Sequence, residues 1–235
     1  MKCEKCGAKM AKEALFCSSC GAAVPDKEEG EKKLLTVLDS LYEKALVGVP
    51  KVSEPVSELA ADYMSKNDTP EAAAKSLIKY QVAKCTTSGF VTGLGGLLTL
   101  PVALPANLTT VWYVQLRMIA AIAEIGGFDP SSDQVQTLAY ACLTGQAVAD
   151  IVKGTGIKIG EKITMAALKK LPGTVLTKIN RAVGFRLLTK FGTTGSINLV
   201  KGVPVVGGVV GGAIDFGSTK IIAKNAYKTF IEREI

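Results

Sequence analysis

Apolar positions first recur at three- and four-residue spacing in the stretch that begins at Leu34. Leu34, Leu35, Leu38, Leu41, Tyr42 and Ala45 fall on one side of a 3.6-residue repeat, which predicts an amphipathic helix. Pro50 and Pro55 punctuate it. Thr69-Pro70-Glu71 predicts the next start: a hydroxyl cap, a proline at the first helical position and an acid on the positive end of the helix dipole. The pattern carries that helix to about Lys84. From Cys85 to Leu116 there are 32 residues without a charge, with Gly89, Gly93, Gly95 and Gly96 followed by Pro101 and Pro105. One continuous helix of that length would be ~48 Å long, but the prolines break it. The limb that ends at Leu100 is shorter than the ~20 residues a bilayer span needs. Pro105 predicts a new helix that contains Arg117 and Glu124. The stretch 85–125 therefore reads as a helical hairpin, either buried in protein or dipped into one leaflet.

Gly126, Gly127 and Pro130 close the hairpin, and Ser131 or Ser132 is expected to cap a further helix to about Val152. The character then changes. Between Lys153 and Lys201, ten basic residues face one acid, Glu161, so this segment carries +9 in a chain of net charge +7. The run from Val203 to Asp215 is apolar and glycine-rich again. Its Gly207/Gly211 and Gly208/Gly212 spacing suits close helix packing, in membranes or in soluble cores. A last amphipathic helix is expected from about Ser218. The fold class predicted is all-α: a multi-helix bundle with Gly-rich apolar hairpins.

Composition narrows the chemistry. The chain has 235 residues, 48% hydrophobic but only 6% aromatic, and a mean hydropathy of +0.27. Small-residue helices packed closely, or membrane contact, account for that combination better than disorder does. Histidine is absent, which excludes a Ser-His-Asp or Cys-His nucleophile, a histidine base and any histidine-ligated metal. Arg117, Glu124, Asp150 and Asp215 interrupt apolar helices. A buried charge is costly unless paired, so internal ion pairs or exposed helix ends are the ordinary explanation. A polar site inside the bundle is the functional one, with Asp150 and Asp215 as its carboxylates.

Four of the six cysteines, Cys3, Cys6, Cys17 and Cys20, lie in the first 20 residues as two Cys-x2-Cys pairs, each followed by glycine, Gly7 and Gly21. Each pair sets two thiolates on one tight turn, and two turns close a tetrahedron around one ion. Four sulfur ligands suit a single structural Zn²⁺ with no open position. Cys85 and Cys142 read as small core residues. The N-terminal MKCEKCGAKM has no apolar run of the kind a secretory signal needs, so a reduced, cytoplasmic setting is expected. The division expected is a zinc ribbon at 1–24, a charged linker at 25–33 and a helical domain at 34–235.

The basic segment has three readings: a solvated face, a nucleic-acid patch, or a surface for anionic lipid. Nucleic-acid binding gains from stacking aromatics, and the segment has only Phe185 and Phe191. Apolar residues do alternate with its charges at helical spacing, at Leu171, Val175, Leu176, Ile179, Val183, Leu187 and Leu188, as in interfacial helices. Lys169, Lys170, Lys178, Arg181, Arg186 and Lys190 are the lipid contacts this predicts.

Several stretches resemble the EcsC family: Gly89-Phe90-Val91-Thr92-Gly93-Leu94-Gly95-Gly96 with Leu100-Pro101 and Pro105-Ala106-Asn107-Leu108, then Leu116-Arg117 through Ala123, Ile179-Asn180-Arg181-Ala182-Val183-Gly184 with Leu187-Leu188-Thr189-Lys190, and Val203-Pro204-Val205-Val206-Gly207-Gly208 through Asp215. The resemblance spans roughly 34–235, with a zinc-ribbon module in front. It implies a bacterial, membrane-associated protein on the cytoplasmic side and transfers no catalytic residue. The function expected is a non-enzymatic peripheral or monotopic protein at the inner face of the cell membrane. It would bind anionic lipid or act as an assembly or adaptor module, with a protein partner or a second copy as further associates. An enzyme using a buried carboxylate on a membrane-linked substrate, and a soluble nucleic-acid adaptor, are the alternatives.

Overall fold

The computed structural model describes residues 2–3, 6–9, 27–84, 106–154, 156, 164–199 and 207–234. Among them the body is helical throughout: α1 (Lys27–Val47), α2 (Val56–Ser65), α3 (Pro70–Lys84), α4 (Ala106–Ile125), α5 (Asp133–Leu143), α6 (Val148–Gly154), α7 (Met165–Lys169), α8 (Gly173–Leu199) and α9 (Gly207–Tyr227), the last running into a π-helical turn at Lys228–Glu232.

Local chemistry explains most of the boundaries. The Thr69 hydroxyl accepts from the Ala72 amide at 3.2 Å and opens α3 at Pro70, as expected. Ser132 caps α5 by accepting from the Val135 amide, and Thr164 caps α7 by accepting from the Ala167 amide. The single helix expected from Ser132 to Val152 is instead two. The chain leaves α5 at Thr144 and turns through Gly145, whose φ of 76° a residue with a side chain seldom adopts. Helix α1 begins at Lys27, inside the segment whose charges suggested a linker, and α9 begins at Gly207 rather than near Ser218.

The core is organised around α4, which packs against α1, α2, α3, α5 and α9. Every residue from Trp112 to Ala123 is buried. Complete burial of Leu116, Met118, Ile119 and Ile122 contributes about 1.5–3 kcal/mol per side chain relative to exposure. By length and composition Leu108–Ile125 is the one helix among the described residues apolar enough to cross a membrane, yet 83% of it is enclosed by the protein. The second limb of the expected hairpin is thus a core helix. The first limb, 85–105, with Cys85, the four glycines and both prolines, lies outside the described residues.

The helices around α4 are fastened by aromatic and polar contacts. Tyr42 of α1 meets Tyr140 of α5 edge-on at 5.8 Å and donates to the Pro130 carbonyl at 2.9 Å. Tyr140 donates to Asp39 at 2.7 Å, and burial is the main reason both phenols are held well above their usual pKa. Gln115 of α4 donates to Thr219 of α9 at 3.0 Å inside the core. At the end of α4, Gly126 lies against the backbone of the closing π turn, where a methyl group would overlap the Phe230 carbonyl.

Candidate metal centre, basic face and polar cavity

Cys3 and Cys6 sit on one tight turn. The Gly7 amide donates to the Cys3 carbonyl at 2.8 Å, and the Cys3 amide donates to the Ala8 carbonyl at 2.9 Å. Lys2 and Lys9 pair as an isolated antiparallel bridge across its mouth. Gly7 has φ +73°, the left-handed conformation that lets the backbone fold back beneath two thiols spaced Cys-x2-Cys. This half of the site fits the ligand geometry that a tetrahedral sulfur centre needs. Among the described residues no three metal-ligating side chains converge; Cys17 and Cys20 lie outside them.

The basic segment divides by direction. Lys169 ends α7, Lys170 caps it, and both are exposed, as is Lys178 on α8. Lys178, Arg181 and Phe185 share one side of α8. Phe185 is 46% exposed, and Arg181 lies 3.7 Å from Glu31 of α1. Arg186 is half-buried beside Gly154 of α6. Lys190 belongs to α8, but its side chain lies outside the described residues. The interleaved apolar positions point the other way. Ile179, Val183 and Leu187 are fully buried, Leu176 nearly so, and Leu171, Val175 and Leu188 pack on the core from its edge. The stripe that suggested an interfacial helix is therefore the core-facing side of α8, and its outer side is cationic with one exposed ring.

Of the acids, Asp150 follows the ordinary explanation, exposure at a helix end: it is exposed in the first turn of α6, so the apolar surroundings that marked it as a candidate base are absent. The Asp215 side chain lies outside the described residues. Among the described residues Glu124 is the carboxylate with a raised pKa, from partial burial and then from the nearby Asp129 charge. Asp129 is lowered, chiefly by its hydrogen bonds from Ser131. Burial pushes the Cys142 thiol up to about 12, which leaves it an inert core group.

Arg117 is the charge that most needs explaining, because it sits inside α4 and is nearly fully buried. Its guanidinium pairs with Glu54 at 2.9 Å and also donates to the Glu54 and Ala45 carbonyls. It forms one wall of a cavity of about 380 Å³ together with Ser53, Tyr63, Tyr80 and Gln81. Ser53 and Tyr113 share a hydrogen bond of 2.6 Å. Tyr63 is held above its usual pKa by burial, then by Tyr80, Asp62 and Glu54. With Arg117 balanced by Glu54 and the lining Lys66 paired with Asp62 at 2.7 Å, the rest of the lining offers hydroxyl and amide groups. The arrangement is an internal ion pair that ties α4 to the α1–α2 connection. Sequence marked Arg117 but not its partner, since Glu54 lies in a connection with no periodic signal.

No curated protein and no solved structure matches the chain. Two family models do match: a zinc-ribbon domain over residues 2–24, and the EcsC protein family over residues 67–235. Helices α3 to α9, with the central helix α4 among them, lie within the second match, whereas α1 and α2, which also pack on α4, precede it; the chain accordingly belongs to the EcsC family, with a zinc-ribbon domain ahead of the helical body.

Proposed function

We propose that the protein is a non-enzymatic, cytoplasmic-side membrane-surface protein whose helical body docks on anionic phospholipid. The observation that carries this reading is the outward cationic side of α7 and α8, where Lys169, Lys170 and Lys178 are exposed together and Phe185 stands out beside them. Each basic group near an anionic surface contributes up to about 1 kcal/mol, less when screened. Because the apolar stripe of α8 is buried in the core, binding by this face is electrostatic and salt-sensitive. Cys3, Cys6, Cys17 and Cys20 would hold one structural Zn²⁺, which orders the N-terminal turn pair and leaves no coordination position for chemistry.

Flotation with phosphatidylglycerol vesicles tests the reading. Protein should float at low salt and be released at high salt, and pure phosphatidylcholine should not recover it. Reversing Lys169, Lys170 and Lys178 to Glu should abolish most of the recovery. Equal recovery on neutral and anionic vesicles, or none on either, would return this face to ordinary solvation.

A further inference from the structure

A second cationic feature lies between α3 and α9, on segments about 140 residues apart in sequence, and its shape differs from the α7–α8 face. Here the two helices enclose an open groove of about 540 Å³, within the range of ~300–1,000 Å³ usual for small-molecule sites. Its floor is apolar: Ile78 and Val82 from α3 and the ring of Tyr227 from α9. Its rim is cationic, with Lys75 and Lys79 on one helix and Lys220 and Lys224 on the other. No acid lines it. Lys75 places its ammonium 5.6 Å from the centre of the Tyr227 ring.

Each helix repeats lysine at i and i+4 on the side that faces the groove. Like charges at that spacing destabilise an isolated helix by a few tenths of a kcal/mol, and an ordinary solvated surface alternates signs. Two such pairs facing each other across an apolar floor are complementary to one ligand class, an acyl chain carrying an anionic headgroup. We infer that the α3–α9 groove binds a single anionic phospholipid, with its acyl chain against Ile78, Val82 and Tyr227 and its phosphate among Lys75, Lys79, Lys220 and Lys224. The inference takes its ligand class from the membrane reading above but uses none of the α7–α8 residues. It supplies an apolar contact that the core-facing stripe of α8 does not.

The test uses full-length, zinc-loaded protein and dihexanoyl phosphatidylglycerol below its micelle concentration, titrated calorimetrically. Saturable binding of about one lipid per chain is expected, with dihexanoyl phosphatidylcholine at least about tenfold weaker. Glycerol 3-phosphate, the same anion without acyl chains, should not bind measurably. Lys79→Glu with Lys224→Glu should weaken the lipid about tenfold or more; both positions are exposed, and circular dichroism checks that the helices persist. Lys170→Glu with Lys178→Glu should leave short-chain binding unchanged while vesicle flotation falls. Loss of short-chain binding in that second variant would overturn the groove assignment. So would equal affinity for both headgroups, glycerol 3-phosphate binding as tightly as lipid, or no effect of the Lys79 and Lys224 reversals. Failure of the groove arms with flotation intact removes the groove and leaves the surface reading standing.

Discussion

The Arg117–Glu54 pair joins partners of unequal exposure, and that asymmetry predicts unequal costs. The Arg117 side chain is 6% exposed and that of Glu54 is 50% exposed, at a separation of 2.9 Å. Glu54→Ala strands a buried guanidinium with only the Ala45 and Glu54 carbonyls as partners. Removing one member of a buried pair costs about 3–5 kcal/mol when the survivor stays in the interior; half-exposure of the missing partner lowers this to roughly 2–4 kcal/mol through screening. Arg117→Met does the reverse. Glu54 returns to water at little cost, and the loss is confined to two carbonyls, each about 1–3 kcal/mol if left unpaired. The neighbouring cavity of about 380 Å³ lets water replace part of that, for a net of about 1–2 kcal/mol. In the double variant the stranded cation is gone, so its cost should fall close to that of Arg117→Met alone. Urea unfolding of the full chain, followed by helical circular dichroism at constant m-value, measures all three. A larger cost for Arg117→Met than for Glu54→Ala, or costs that simply add in the double variant, would refute the reasoning.

Metal analysis of purified protein should give about one zinc per chain, lost when Cys3 and Cys6 are both changed to Ser; retention of zinc in that variant would show the ligand set to be wrong. Glu124 has a raised pKa in the fold. Its ionisation therefore opposes folding as pH rises past the unfolded value of about 4.3, and Glu124→Gln should raise Tm at pH 7 with the gain fading below about pH 4. A gain of equal size at pH 3 would mean that the substitution acts by packing. Native protein in which Cys3, Cys6, Cys17, Cys20 and Cys85 are all serine, leaving Cys142 as its one thiol, should resist maleimide at pH 8, because that thiol is buried and pushed up to about 12; rapid labelling would show that the core opens. Gly126→Ala should cost about 1–3 kcal/mol in the same urea assay, since the methyl group meets the Phe230 backbone.

What could be read in advance depended on how local the cause was. The Thr69-Pro70-Glu71 start, the Ser132 cap and the α1 stripe from Leu34 to Ala45 were legible because a few neighbouring residues determine each. So was the Cys3–Cys6 turn, whose spacing and following glycine are themselves the geometry. The break at Gly145 was missed because the apolar pattern on its two sides stays in phase, so periodicity alone did not separate α5 from α6. That break also sets Asp150 in an exposed first turn, the ordinary explanation for an acid in an apolar stretch, rather than inside the bundle. The environment of α4 was not legible in principle, since a core helix enclosed by five neighbours and a bilayer helix share composition and length. The lysines of the α3–α9 groove gave no signal, because their meaning arises only when segments about 140 residues apart are brought together.

Two of the features that first pointed toward a membrane have been absorbed by the protein itself. Helix α4 is apolar because it is the centre of the bundle, and the apolar stripe of α8 is apolar because it closes that bundle from the side. Neither is available to lipid in this fold. What the described residues present on these outer faces is mainly charge: exposed lysines on α7 and α8 beside the Phe185 ring, and four more around an apolar groove on α3 and α9. A contact built from exposed ammonium groups forms and releases with ionic strength and with the anionic content of the surface, whereas an inserted span does neither. Membrane contact by the described part of the chain should therefore be reversible by salt for the α7–α8 face. Any salt-resistant remainder should track the apolar floor of the α3–α9 groove, so that the two contributions separate by salt titration of the same vesicles with the Lys170/Lys178 and Lys79/Lys224 reversals.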